Sequence, residues 1–223
     1  MKKICFIFLI GFLSVQLHAQ NSIGIEAGYL RTHTSVAEYL RPGSSYNLLD
    51  VVSLNPDVGS FQAAITAEID MGKRFFLSTG FHYGRKGLGE VSISDSARTY
   101  YVNPIQHYVG LSVMIEYHYR FKKSKFGILL ETGPLIDFAV GKPNNGALYS
   151  GTYYKYFMPF SRFNEVDLSW VADIGGTFKL GPGDVVLKLS YRYGLSDVIE
   201  DAFIIGRSSS YGISVGYSFR LGK

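Results

Sequence analysis

The chain has 223 residues, with 22 Lys and Arg against 18 Asp and Glu, 15% aromatic residues, 25 glycines and a single cysteine. A net charge this small, smaller still once the lysines of an expected signal peptide are removed, argues against a nucleic-acid partner, and one cysteine excludes a disulfide framework or a thiolate metal cluster. Abundant aromatics and glycines, with few helix-forming runs, point to β structure in a single domain.

The chain opens on Lys2 and Lys3, an apolar run from Ile4 to Val15, and then Gln16-Leu17-His18-Ala19. This is the pattern of a secretory signal peptide cleaved after residue 19 or 20, and the apolar run falls short of the roughly 20 residues a membrane-spanning helix needs. The expected division is a signal peptide over 1–19 and an outer-membrane β-barrel domain over 20–223. Cys5 leaves with the signal peptide, and so do two lysines, which leaves 20 basic against 18 acidic residues.

Eight segments of period-2 alternation follow: Ser22 to Arg31, Gly59 to Asp70, Phe75 to Arg85, Ile105 to Phe121, Phe126 to Gly141, Val166 to Lys179, Val185 to Gly194 and Ser210 to Arg220. Short turns (Met71 to Arg74, Lys122 to Lys125, Leu180 to Asp184) alternate with long loops (Thr32 to Val58, Lys86 to Pro104, Lys142 to Glu165, Leu195 to Ser209). That rhythm belongs to an up-and-down barrel with short periplasmic turns and long outer loops. Pro134, inside the fifth segment, predicts a bulge at Gly133-Pro134, and Gly175-Gly176 a similar bend in the sixth.

One face of every segment is free of charge, as in Ile23, Ile25, Ala27 and Tyr29, or Val185, Leu187, Leu189, Tyr191 and Tyr193. The opposite face collects the charges, which predicts a lipid face outside and a polar lumen inside, because an Arg or Lys at the bilayer midplane costs ~2–4 kcal/mol. Aromatics of the apolar face gather beside the short turns (Phe75, Tyr117, Phe126, Phe219) and beside the long loops (Tyr29, Phe61, Tyr83, Tyr211), as two girdles. A soluble lipocalin-like barrel, the rival fold, gives no reason for girdles. The predicted fold is therefore all-β: an eight-stranded antiparallel up-and-down transmembrane β-barrel after an N-terminal signal peptide.

With His18-Ala19-Gln20, the first strand Ile23-Gly24-Ile25-Glu26-Ala27-Gly28 and the closing strand Tyr211-Gly212-Ile213-Ser214-Val215-Gly216-Tyr217-Ser218-Phe219, the chain resembles the PorT-like outer-membrane β-barrel family of the Bacteroidetes. The resemblance implies an integral outer-membrane barrel, and some members are similar to components of a protein-secretion and gliding apparatus. The chain departs from the usual terminal aromatic, since Arg220-Leu221-Gly222-Lys223 follows Phe219.

Two groups of residues are candidates for function. The first is a lumen charge network of Glu26, Glu68, Glu116, Arg120, Glu131, Asp173, Lys188 and Arg192, in which the acids are expected to pair with the bases because a buried charge must be compensated. The second is a loop surface of Tyr153, Tyr154, Tyr156, Phe157, Phe160 and Phe163, since exposed aromatics anchor partners. His82 with an inward serine such as Ser78 is the nearest approach to a hydrolytic pair, and His33 and His107 are expected to be solvated. Arg85 and Lys86 read as a solvated basic loop start, or as contacts to lipopolysaccharide phosphates.

Neither a cofactor nor a metal is expected, because no His or acidic spacing along the chain makes a clamp. The sequence thus predicts a monomeric barrel of the cell outer membrane, both termini periplasmic, held in outer-membrane lipid and not an enzyme. It would play a structural or interaction role through its long extracellular loops, with a protein partner there. Its alternatives are a small-solute channel and a lipid-modifying barrel enzyme.

Overall fold

The computed structural model describes residues 22–38, 50–55, 57–72, 74–89, 91–94, 99–102, 105–144, 147–149, 152–154, 163–200 and 204–221. The expected signal peptide lies outside them. The barrel strands are β1 (Ser22–Glu38), β2 (Asp57–Gly72), β3 (Phe75–Gly87), β4 (Ile105–Arg120), β5 (Phe126–Asn144), β6 (Val166–Leu180), β7 (Gly183–Gly194) and β8 (Ile204–Arg220). Each pairs antiparallel with its neighbour in the chain, and β8 returns to pair with β1, so the sheet is closed. All eight expected strands are present, and β1, β5 and β8 run further towards the long loops than the alternation suggested.

The apolar face points outward around the whole circumference. Ile25, Ile174 and Leu189 are 53%, 56% and 57% exposed, while their neighbours Glu26, Lys188 and Ser190 turn inward. A closed apolar belt suits bilayer hydrocarbon, and a closed sheet presents no strand edge to it. At the short-turn end the girdle rings pack in pairs, Phe126 on Phe178 at 4.8 Å and Tyr217 on Phe219 at 4.5 Å between centroids. Outward polar handles are satisfied locally: Trp170 Nε1 donates to Thr132 Oγ1 at 2.9 Å, and Tyr217 Oη to the Leu180 carbonyl at 2.7 Å.

Two expectations about the strands need correction. Pro134 makes no bulge. It lies opposite Trp170 of β6 in unbroken register, and on the β4 side the pairing lapses between Ser112 and Ile115 and resumes in the same register. The proline is accommodated where that pairing lapses, and beside it Gly133 lets β4 come close: a Cβ there would lie 2.2 Å from the Val113 carbonyl oxygen. Nor do Gly175 and Gly176 bend β6, since both pair continuously with β7. Gly133→Ala is expected to force β4 and β5 apart at a cost of about 1–3 kcal/mol. Urea unfolding in detergent, followed by the heat-modifiable gel shift, reads that loss against the wild type.

The long loops carry structure that alternation did not reveal. Short strands at Asp50–Leu54, Val91–Ser94, Thr99–Val102, Ala147–Tyr149 and Thr152–Tyr154 form a second antiparallel sheet, with loop one at one edge and loop three at the other. The first three long loops are thereby joined. A further pair of residues, Ile199–Glu200 in the fourth loop, pairs with the start of β8.

Candidate functional site

Strand periodicity turns every second side chain into the lumen, so inward residues of neighbouring strands stack in tiers along the barrel axis. Nearest the long loops, Lys86 is buried between Asp137 and Asp167. Its Nζ ion-pairs with Asp137 Oδ2 at 2.6 Å and with Asp167, and lies 5.3 Å from the centre of the Tyr108 ring. The Asp137 contact is close but off the hydrogen-bond line. Asp167 also accepts from Ser196 Oγ at 2.5 Å. Lys86 is therefore neither a solvated loop residue nor free to meet lipopolysaccharide phosphates, because β3 continues inward-facing through it. This cluster was missed, although the alternation of Phe76, Ser78, Gly80, His82 and Gly84 extends to Lys86.

Beneath it the lumen is apolar, with Met114, Leu135 and Val171 packed in a fully buried cluster. Next comes a polar tier built on Lys188, which ion-pairs with Glu26 and donates to Glu131 Oε2 at 3.1 Å. Arg192 takes Gln62 instead of a carboxylate, its Nη2 donating to Oε1 at 2.8 Å. Asp173 keeps one buried oxygen without a hydrogen-bond partner.

His82 Nε2 lies 2.7 Å from Ser112 Oγ, so its serine is Ser112 and not Ser78. The Ser112 side chain is 1% exposed, sealed inside the barrel wall where no lipid ester reaches it.

At the short-turn end the lumen widens into a cavity of about 580 Å³. Asp184 accepts from Arg120 at 2.9 Å and from Arg220 at 2.5 Å. Glu68 accepts from Ser22 Oγ at 2.5 Å and from Ser218 Oγ at 3.3 Å. Glu116 has His118 beside it, Oε2 to Nε2, at 3.3 Å. Of the eight residues expected to form one network, Glu26, Glu131 and Lys188 are joined directly. Arg120 and Arg192 take partners the sequence did not suggest, and Glu68 and Glu116 meet near His118.

At the long-loop rim, His33 Nδ1 and Arg31 share Asp57 at 2.8 Å and 2.5 Å, and Tyr83 Oη lies 2.7 Å from His107 Nδ1. Tyr153 and Tyr154 belong to the edge strand Thr152–Tyr154 of the loop sheet, and Phe163 is half-buried at the foot of loop three. Tyr156, Phe157 and Phe160 lie outside the described residues.

Several solved barrels are similar to this chain. Ail, the attachment invasion locus protein of Yersinia pestis, is 14% identical with a TM-score of 0.42, over 90% of this chain and 99% of that one. The N-terminal β-barrel domain of Pseudomonas aeruginosa OprF is 12% identical with a TM-score of 0.40, over 90% and 98%. The topology rests on the strand pairings themselves. No curated protein matches the chain. The model of the outer membrane protein beta-barrel domain matches residues 18–200, most of the chain. With a closed eight-stranded wall that is apolar outside and charged within, the chain belongs to the outer membrane protein beta-barrel domain family.

Proposed function

We propose that this outer-membrane barrel acts as a docking platform for another protein, with its long loops outside the cell and both termini in the periplasm. The observation that carries this is the sheet built jointly by the first three long loops, which connecting adjacent strands does not require. Among the described residues, Thr152–Tyr154 pairs with one neighbour alone, which leaves a strand edge of the kind that a partner's extended segment extends. The tyrosines of that strand belong to the residue class that dominates binding hot spots.

The PorT-like kinship and a place in a secretion apparatus belong with this proposal; they rest on the resemblance of the first and closing strands. The apolar plug of Met114, Leu135 and Val171 across the lumen speaks against the channel reading, and the enclosure of Ser112 speaks against the lipid-enzyme reading. The test places a photo-crosslinking residue at Tyr149 or Tyr154 in cells. It should give a discrete protein adduct that a control at lumen-facing Ser78 does not give. Stable single-channel currents from the purified barrel, with no adduct at either loop position, would overturn the docking reading in favour of a channel.

A further inference from the structure

We infer that the cavity at the short-turn end holds one divalent transition-metal ion of zinc's borderline class, bound by Glu68, Glu116 and His118. These side chains come from β2 and β4, and one ligand atom from each lies within 4.8 Å of the others. Glu116 and His118 are two apart on β4, so strand periodicity turns both into the lumen, and Glu68 reaches them across β3.

The spacing of Glu116 Oε2 and His118 Nε2 suits two ligands of one ion. At 3.3 Å it is long for an imidazole–carboxylate hydrogen bond, which in its charge-assisted form closes to about 2.7–2.9 Å. It equals the edge between two ligands of a tetrahedral ion, roughly 3.3–3.4 Å for bonds of about 2.0–2.1 Å. Phe76 packs on His118, with ring centroids 4.5 Å apart, and fixes the plane in which Nε2 points.

Charge gives the second, independent reason. Glu116 is 3% exposed and aimed into the cavity, and a buried carboxylate needs a compensating charge. Among the described residues, no Lys or Arg lining this cavity ion-pairs with Glu116. Lys188 holds Glu26 and Glu131, Arg120 and Arg220 hold Asp184, and Arg74 lies 5.0 Å above the Tyr119 ring and bonds Tyr117. Among the described residues, the donors to Glu68 are hydroxyls.

Two carboxylates by themselves would suit calcium or a shared proton; the imidazole aimed at the same point selects an ion that takes nitrogen as well as oxygen. Three protein ligands leave the fourth position to water, for which the cavity has room.

The test uses the tag-free barrel refolded in detergent and titrated with Zn²⁺ against a chromophoric chelator. Wild type should bind one equivalent. Glu116→Gln and His118→Ala, each shown to be folded by its heat-modifiable gel shift, should bind at least tenfold more weakly. His33→Ala, which alters the exposed histidine beside Asp57, should leave binding unchanged. Should the lumen variants fail to fold, Glu68→Gln takes their place, and Co²⁺ loaded into the wild type should give the intense visible bands of a four-coordinate site. Absence of saturable one-to-one binding by the wild type overturns the inference, as does equal affinity in the folded lumen variants or loss of binding in His33→Ala.

Discussion

Replacing Lys86 by methionine is expected to destabilise the folded barrel by about 3–5 kcal/mol, the cost of leaving buried carboxylates without their cation. Asp137 and Asp167 both face Lys86 Nζ, and all three side chains are almost completely enclosed. Neither acid has another base within ion-pair reach among the described residues. The loss should therefore come from desolvated negative charge and not from missing packing, because methionine nearly matches lysine in volume. Combining Lys86→Met with Asp137→Asn and Asp167→Asn removes the charge at its source and should recover most of the stability. Urea unfolding of the three proteins in lipid vesicles measures both effects. Equal stability of wild type and Lys86→Met would mean that the cluster is hydrated in the folded barrel.

The second large effect concerns the outer surface. Ile174 lies on the outward face of β6 between Trp170 and Phe178, close to mid-depth, and is 56% exposed. Ile174→Arg should cost about 2–4 kcal/mol in a bilayer, and Val166→Arg, beside the long loops on the same strand, no more than about 1 kcal/mol. A soluble barrel would show no such dependence on depth, so the difference between the two variants in vesicles tests the assigned lipid face directly. Similar costs at both positions would contradict the placement of the apolar band.

What the sequence disclosed follows from how hard each constraint is. Lipid tolerates no charge on one face of a strand, so the outward face and the eight strands could be read from alternation, and turn length separated the two ends of the barrel. The lumen is less one-sided. It accepts Lys188, Leu135 and Gly133 alike, and which inward groups meet depends on the register between strands. Register placed His82 against Ser112 and gathered Glu68 to Glu116 and His118, contacts that spacing along the chain cannot show.

Lys86 was misplaced for a related reason. Alternation ends the expected strand at Arg85, whereas β3 continues as far as Gly87. The loop sheet was invisible because strands of three to five residues are too short to display a period. At Pro134 the expected bulge is replaced by a local gap in the β4–β5 pairing that leaves the register unchanged.

The seam between β1 and β8 joins seventeen paired positions, from Ser22 opposite Arg220 to Glu38 opposite Ile204, against thirteen between β5 and β6. It unites the most distant segments of the described chain, so closing it carries the largest loop-closure entropy and is expected to follow the hairpins. Until it does, β1 and β8 each present a row of unpaired amides, a ready template for a neighbouring chain. The longest ladder thus stands where closure is slowest, and a nascent chain interrupted before Ile204 would enter the membrane as an open sheet with nothing to latch.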